Sequence, residues 1–222
     1  MLKVWKVLKL DWSAMKCYRI RLLLLPVLLL IPGGLSTIYL VPMGVFFLFS
    51  FSINAFLVEE KGGLNRLYLT LPMKRSRMVA GRYLLSFLLF LAGIIIGFAL
   101  MPLANLFALS RWYPDWKWAL ALACTGFLIY ALMNLAMYPA LFRLGYEKGK
   151  VWGYYIPSFV IALAYMGIAE YDVVTGGAFI RDMLIYASEH ILSVSAEIFG
   201  LGAVILAASW GLSVRLYTRR EF

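Results

Sequence analysis

With 222 residues, 64% of them hydrophobic and only 14% charged, the chain has too little polar surface to coat a water-soluble globule, so its apolar excess must face lipid. The formal charge of +10 does not point to nucleic acid, because the cations sit between long apolar runs with no base-stacking platform interleaved. Alternating stretches of about ten residues, the mark of a lipid-facing barrel strand, are absent, and the chain reads as an all-α membrane protein.

Residues 1–17 predict an interfacial elbow helix. At about 100° per residue, Val4, Trp5, Leu8, Trp12 and Met15 fall on one arc, and Lys3, Lys6, Lys9, Ser13 and Lys16 fall largely opposite. Trp rings at headgroup depth and lysines toward phosphates suit a segment lying along a leaflet, a pattern that Val7, Leu10 and Asp11 break. The start carries charges and Trp and has no small-residue cleavage site, so it reads as retained.

Windows of roughly twenty residues then place six spans near Tyr18–Gly34, Ile38–Val58, Tyr83–Leu109, Trp118–Tyr138, Tyr154–Ala169 and Glu197–Leu216, all within one transmembrane domain over 1–222. No charged residue occurs from Leu22 to Val58, a run long enough to cross twice if it folds back at Pro32-Gly33-Gly34. Pro26 and Pro32 leave one kinked span plus a re-entrant segment as the alternative.

The segments Met1–Arg21, Glu59–Arg82, Pro139–Gly153 and Arg215–Phe222 hold eighteen of the twenty-one Lys and Arg residues. The remaining three, Arg111, Lys117 and Arg181, share the other loops with six acids. The positive-inside bias therefore puts the first group and both termini in the cytoplasm, with an even number of spans. Their cations also suit anionic lipid headgroups.

Outside, Arg111–Trp118 is a short turn rich in Trp, suited to the aromatic belt. Between Glu170 and Glu197, Phe179, Ile180, Met183, Leu184, Ala187 and Ile191 recur at helical spacing, which predicts one or two short helices on or in the outer leaflet. Cys17 and Cys124 lie at different depths, so neither a disulfide nor a thiol metal site is implied.

Catalytic raw material is scarce. His190 is the only histidine, which leaves almost nothing for metal clusters or Ser-His chemistry. The pair Glu59-Glu60 invites comparison with intramembrane proteases, but Arg66 stands six residues beyond Glu60 where that motif needs four. Ion-coupled carriers need ionisable groups at membrane depth, and the spans have almost none. No phosphate-binding Gly-rich loop occurs, and Gly145–Val151 has neither its spacing nor its hydroxyl residue. If ATP powers this chain, another chain binds the ATP.

The two basic loops carry the most specific signal. In the first, Leu64, Leu67, Tyr68 and Leu71 form a short apolar stripe ending at Pro72, a compact helix suited either to a cytosolic partner or to the underside of its own bundle. Glu59-Glu60, Thr70-Leu71-Pro72, Arg75, Val79 and Arg82-Tyr83-Leu84 in this loop, with Tyr138-Pro139, Phe142 and Gly145-Tyr146-Glu147-Lys148 in the second, resemble the permease subunits of ABC type-2 exporters. The likeness covers the whole chain. Within the family it looks most like small permeases that export amphipathic peptides, including those for phenol-soluble modulins.

That resemblance implies a pair of permeases, homo- or heterodimeric, each with six spans and short cytoplasmic coupling helices that engage a cytosolic ABC ATPase. ATP and magnesium would bind on the ATPase, and this chain would hold no cofactor and catalyse nothing. Glu60–Leu71 would be the main coupling helix, with Glu59 positioning it. Leu141–Lys150 would be a second contact, using Arg143, Gly145, Tyr146, Glu147 and Lys148. The uncharged spans imply an apolar or amphipathic cargo. The rival expectation is a non-transporting immunity, sensor or interaction module that uses its loops only to bind a partner.

Overall fold

The computed structural model describes residues 2–18, 20–62, 75–109, 111, 113–174 and 178–218. The helices are α1 (Leu2–Ala14), α2 (Ile20–Leu23), α3 (Leu25–Leu35), α4 (Leu40–Phe51), α5 (Asn54–Lys61), α6 (Arg75–Ala104), α7 (Trp116–Lys150), α8 (Ile156–Val174), α9 (Ala178–Glu189) and α10 (Ile191–Thr218), and no strand occurs among the described residues. Four helical segments there are long and apolar enough to cross a membrane: Thr37–Lys61, Arg75–Ala104, Trp116–Val160 and Ile191–Thr218. This is a membrane protein, nearly all helical.

The third of these segments reverses direction within itself. Gly145 has φ 80° and ψ −174°, a conformation that side-chain-bearing residues essentially never adopt, and it breaks α7 into two limbs. The limbs fold back on each other: a Cβ on Gly149 would lie 2.8 Å from the Leu141 Cα, and one on Gly153 would lie 2.9 Å from the Met137 Cα. Residue numbers fall on one limb as they rise on the other, which makes an antiparallel hairpin in van der Waals contact. The expected loop over 139–153 is thus helical on both sides of a single glycine. A π-helical turn, Val151–Tyr155, carries the return limb into α8.

Helices α4 and α6 form the centre with the first limb of α7. Their backbones meet at Gly44 and Gly93, where a Cβ on either would come within 2.8 Å of the other's carbonyl oxygen. Small residues are the usual means of close approach in lipid, where the hydrophobic effect does not drive helices together. Aromatic contacts then fill the space between helices: Phe49 against Tyr130 at 5.7 Å, Phe90 against Tyr130 at 4.7 Å and Phe56 against Phe142 at 5.1 Å between ring centroids.

The first helices depart from the expected plan in two ways. The turn expected at Pro32-Gly33-Gly34 lies inside α3, and the chain bends instead at Ser36, whose extended backbone leads into a 3-10 turn over Thr37–Tyr39. Helix α1 packs on α6 and α5 through Val7, Leu8, Asp11 and Met15, while Trp5 stays half exposed. Two of those buried residues are the ones that break the expected amphipathic stripe. Glu170–Glu197 contains the end of α8, all of α9 and the start of α10, in line with the short helical segment expected there.

Candidate functional site

Ten cations of the described side chains sit toward one end of the bundle, hereafter the basic end: Lys9, Lys16, Lys61, Arg75, Arg77, Arg82, Arg143, Lys148, Lys150 and Arg215. At this end three charges are buried together. Arg82 on α6 is 2% exposed and its Nη2 donates to Glu59 Oε2 on α5, while its Nε lies 3.7 Å from Asp11 Oδ2 on α1. The guanidinium also lies across the Phe56 ring, 4.0 Å from its centroid. Tyr138 on α7 donates its hydroxyl to the Arg82 carbonyl at 3.2 Å. One cation therefore ties four helices.

Burying charges is costly in lipid and in protein, and the arrangement holds only because each carboxylate faces the same planar, multi-donor cation. Among the described residues two buried acids face this one base, at an end rich in cations.

Glu60, next to the Glu59 of this cluster, reaches a different element. Its Oε2 accepts from the Tyr146 backbone N–H at 2.5 Å, the first peptide after the Gly145 turn. A carboxylate there satisfies an orphan donor and lies at the positive end of the return limb's dipole. Lys150 follows one turn later, paired with Glu147 at 2.7 Å and set over the Tyr146 ring at 4.8 Å. The paired acids thus clamp α6 with one carboxylate and the hairpin turn with the other.

Arg75 secures the far side of the same loop. Its Nη1 donates to the carbonyls of Thr218 at 3.0 Å and Tyr217 at 3.4 Å, the exposed acceptors at the end of α10. A cation at that point also complements the helix dipole. Deeper along α6, the Tyr83 hydroxyl bonds the Ser209 and Ser213 hydroxyls of α10 at 2.6 and 2.9 Å, and Ser86 bonds the Tyr130 hydroxyl at 3.0 Å. Glu59 and Glu60 on one side of the undescribed stretch and Arg75 on the other are thus each fixed to the bundle.

The matching family model is that of the ABC-2 family transporter protein, and it spans residues 5–218. The chain belongs to the ABC-2 transporter family. Members of this family are membrane components of ABC transporters and usually work with an ABC ATPase. No curated protein and no solved structure matches the chain.

For an ABC-2 permease, the structure places the sequence-derived site residues as follows. Glu59, Glu60, Gly145 and Tyr146 come together at the basic end, and Arg143, Glu147 and Lys148 are exposed around the same turn. Leu64, Leu67, Tyr68 and Leu71 lie outside the described residues. Sequence reasoning missed Asp11 as a member of the charge cluster and Arg82 as its hub. The signal was present: an acid on an otherwise basic helix and an arginine inside an apolar run are each costly unless paired.

Proposed function

We propose that the chain is the permease subunit of an ATP-driven exporter in a bacterial plasma membrane, with both termini cytoplasmic and six spans crossing. Two permease chains, identical or different, pair around the path of an apolar or amphipathic cargo, and amphipathic peptides of the phenol-soluble modulin type suit it. ATP and magnesium bind on a separate cytosolic ATPase. Family membership over residues 5–218 carries the transporter reading, and the contacts of Glu59, Glu60 and Arg75 at the basic end are what favour ATPase coupling there.

On this reading Glu60–Leu71 is the main coupling helix. Its flanks are joined to four helices through Glu59 and Arg82, to the hairpin through Glu60 and to α10 through Arg75, so a push on the loop reaches every layer of the bundle. Rigid helices with fixed contacts pass such a displacement on as a rearrangement of whole spans. The tip of the helical hairpin, Leu141–Lys150, provides a second contact through Arg143, Glu147 and Lys148.

Truncating apolar anchors in a small interface costs roughly 2 kcal/mol or more, about thirtyfold in affinity. The double variant Leu67→Ala/Tyr68→Ala should lose ATPase association and export while inserting normally, and Ala at Trp112 or Trp116 should leave association unchanged. Unaltered ATPase affinity in the double variant would remove this loop as the coupling element. Native mass spectrometry of an active complex containing a single permease chain would overturn the pairing.

A further inference from the structure

Beside the hairpin turn lies a cavity of about 570 Å³ that shares Tyr146 and Lys150 with the contacts above. It is bounded by the segment Leu22–Leu28, by α4 and by the return limb from Tyr146 to Tyr155. Its two ends differ in chemistry. Toward the basic end it is lined by Lys150, Asn54 and the Tyr146 and Tyr155 rings, and farther in by Leu28, Phe47 and Phe51. None of the described residues lining it is acidic. The opening faces outward, since Leu24, Leu28 and Tyr155 on its rim are 68%, 43% and 57% exposed.

We propose that this cavity holds an anionic phospholipid of the leaflet at the basic end, its phosphate at Lys150 and an acyl chain along Leu24, Leu28 and Phe47. The size suits a headgroup with the upper part of one chain, within the range of roughly 300–1,000 Å³ typical of ligand sites. The lining offers an ammonium, an amide N–H and phenol hydroxyls, donors suited to a phosphodiester, and the carboxylate that meets the ammonium, Glu147, is not among the described lining residues. The present partner of Lys150, Glu147, has a side chain 59% exposed, so water solvates it readily when the ammonium turns to a phosphate. The ammonium has three donors, and the two ligands need not exclude each other.

The cavity at the opposite end shows the contrast. It measures about 420 Å³ and sets the carboxylates of Asp115 and Glu189 beside Lys117 and His190, so an anion there would meet like charge as well as a cation. The lipid assignment needs only that the chain lies in a membrane and is independent of any ATPase.

The test uses the full chain in nanodiscs of phosphatidylcholine with or without phosphatidylglycerol, with retained lipid read by native mass spectrometry. Wild type and Lys150→Arg should retain one phosphatidylglycerol in preference to phosphatidylcholine. Lys150→Gln should retain it about tenfold less, the usual scale of one lost charge-assisted contact. Leu28→Trp, which fills the apolar half, should lose it as well, and Lys9→Gln, a charge change outside the cavity, should not. Equal retention by Lys150→Gln and Leu28→Trp, or no preference for phosphatidylglycerol in wild type, would overturn the site. Release of the lipid by millimolar glycerol phosphate would show that a soluble phosphate suffices and would overturn the assignment to lipid.

Discussion

Replacing Arg82 with Met removes a cation that pairs with two buried acids. Asp11 is 1% exposed and Glu59 is 7% exposed, so both carboxylates lose the guanidinium in a place that water reaches poorly. Breaking a buried ion pair from one side costs about 3–5 kcal/mol, which for a chain of this size corresponds to a melting temperature lower by about 6–20 °C. The triple variant Asp11→Asn/Glu59→Gln/Arg82→Met removes all three charges and should recover most of that loss. About 1–2 kcal/mol should stay missing, from the hydrogen bonds and the contact with the Phe56 ring. The assay is thermal unfolding of nanodisc-held protein followed by tryptophan fluorescence. If the triple variant unfolds no later than Arg82→Met, lost charge balance is not the cause, and the cluster does not hold α1, α5 and α6 together as argued.

Three further outcomes test the frame around this cluster. Gly145→Ala forces a Cβ into a backbone region open essentially to glycine alone and should cost about 1–3 kcal/mol, read as faster hydrogen exchange at 146–150; unchanged exchange would refute the tight hairpin. Gly93→Ala places a Cβ 2.8 Å from the Gly44 carbonyl oxygen, so α4 and α6 must separate, and a loss of about 1–3 kcal/mol in the same melting assay is expected. Reporter fusions after Phe222 and at Trp116 should report the cytoplasm and the outside respectively, and the reverse at either site would contradict the topology.

Much of the fold was legible because lipid imposes one strong rule. Backbone groups must be satisfied within each segment, so apolar runs of span length become helices, and the four long segments at Thr37–Lys61, Arg75–Ala104, Trp116–Val160 and Ile191–Thr218 overlap expected spans. The hairpin was read too loosely. Helical periodicity continues through Pro139–Leu144 and again from Tyr146, and only the φ of 80° at Gly145 tells a reversal from a flexible loop. Pro32-Gly33-Gly34 misled in the opposite sense, since turn-rich residues there sit inside α3 and the bend falls at Ser36. Asp11 was set aside because an amphipathic plot scores it only as an exception to the pattern. Its meaning depends on Arg82, seventy-one positions away in sequence, and no local pattern holds that information. Glu59 and Glu60 were legible as a pair but not as two clamps on two different elements.

The most direct test of the account is ATP hydrolysis by the permease co-expressed with candidate ABC ATPases from its own source. The purified chain alone should hydrolyse no ATP, the two proteins should co-purify and hydrolyse it, and Leu67→Ala/Tyr68→Ala should abolish both association and permease-dependent stimulation. A chain that associates with no ABC ATPase, or an ATPase whose turnover the double variant stimulates as well as wild type does, would contradict the account.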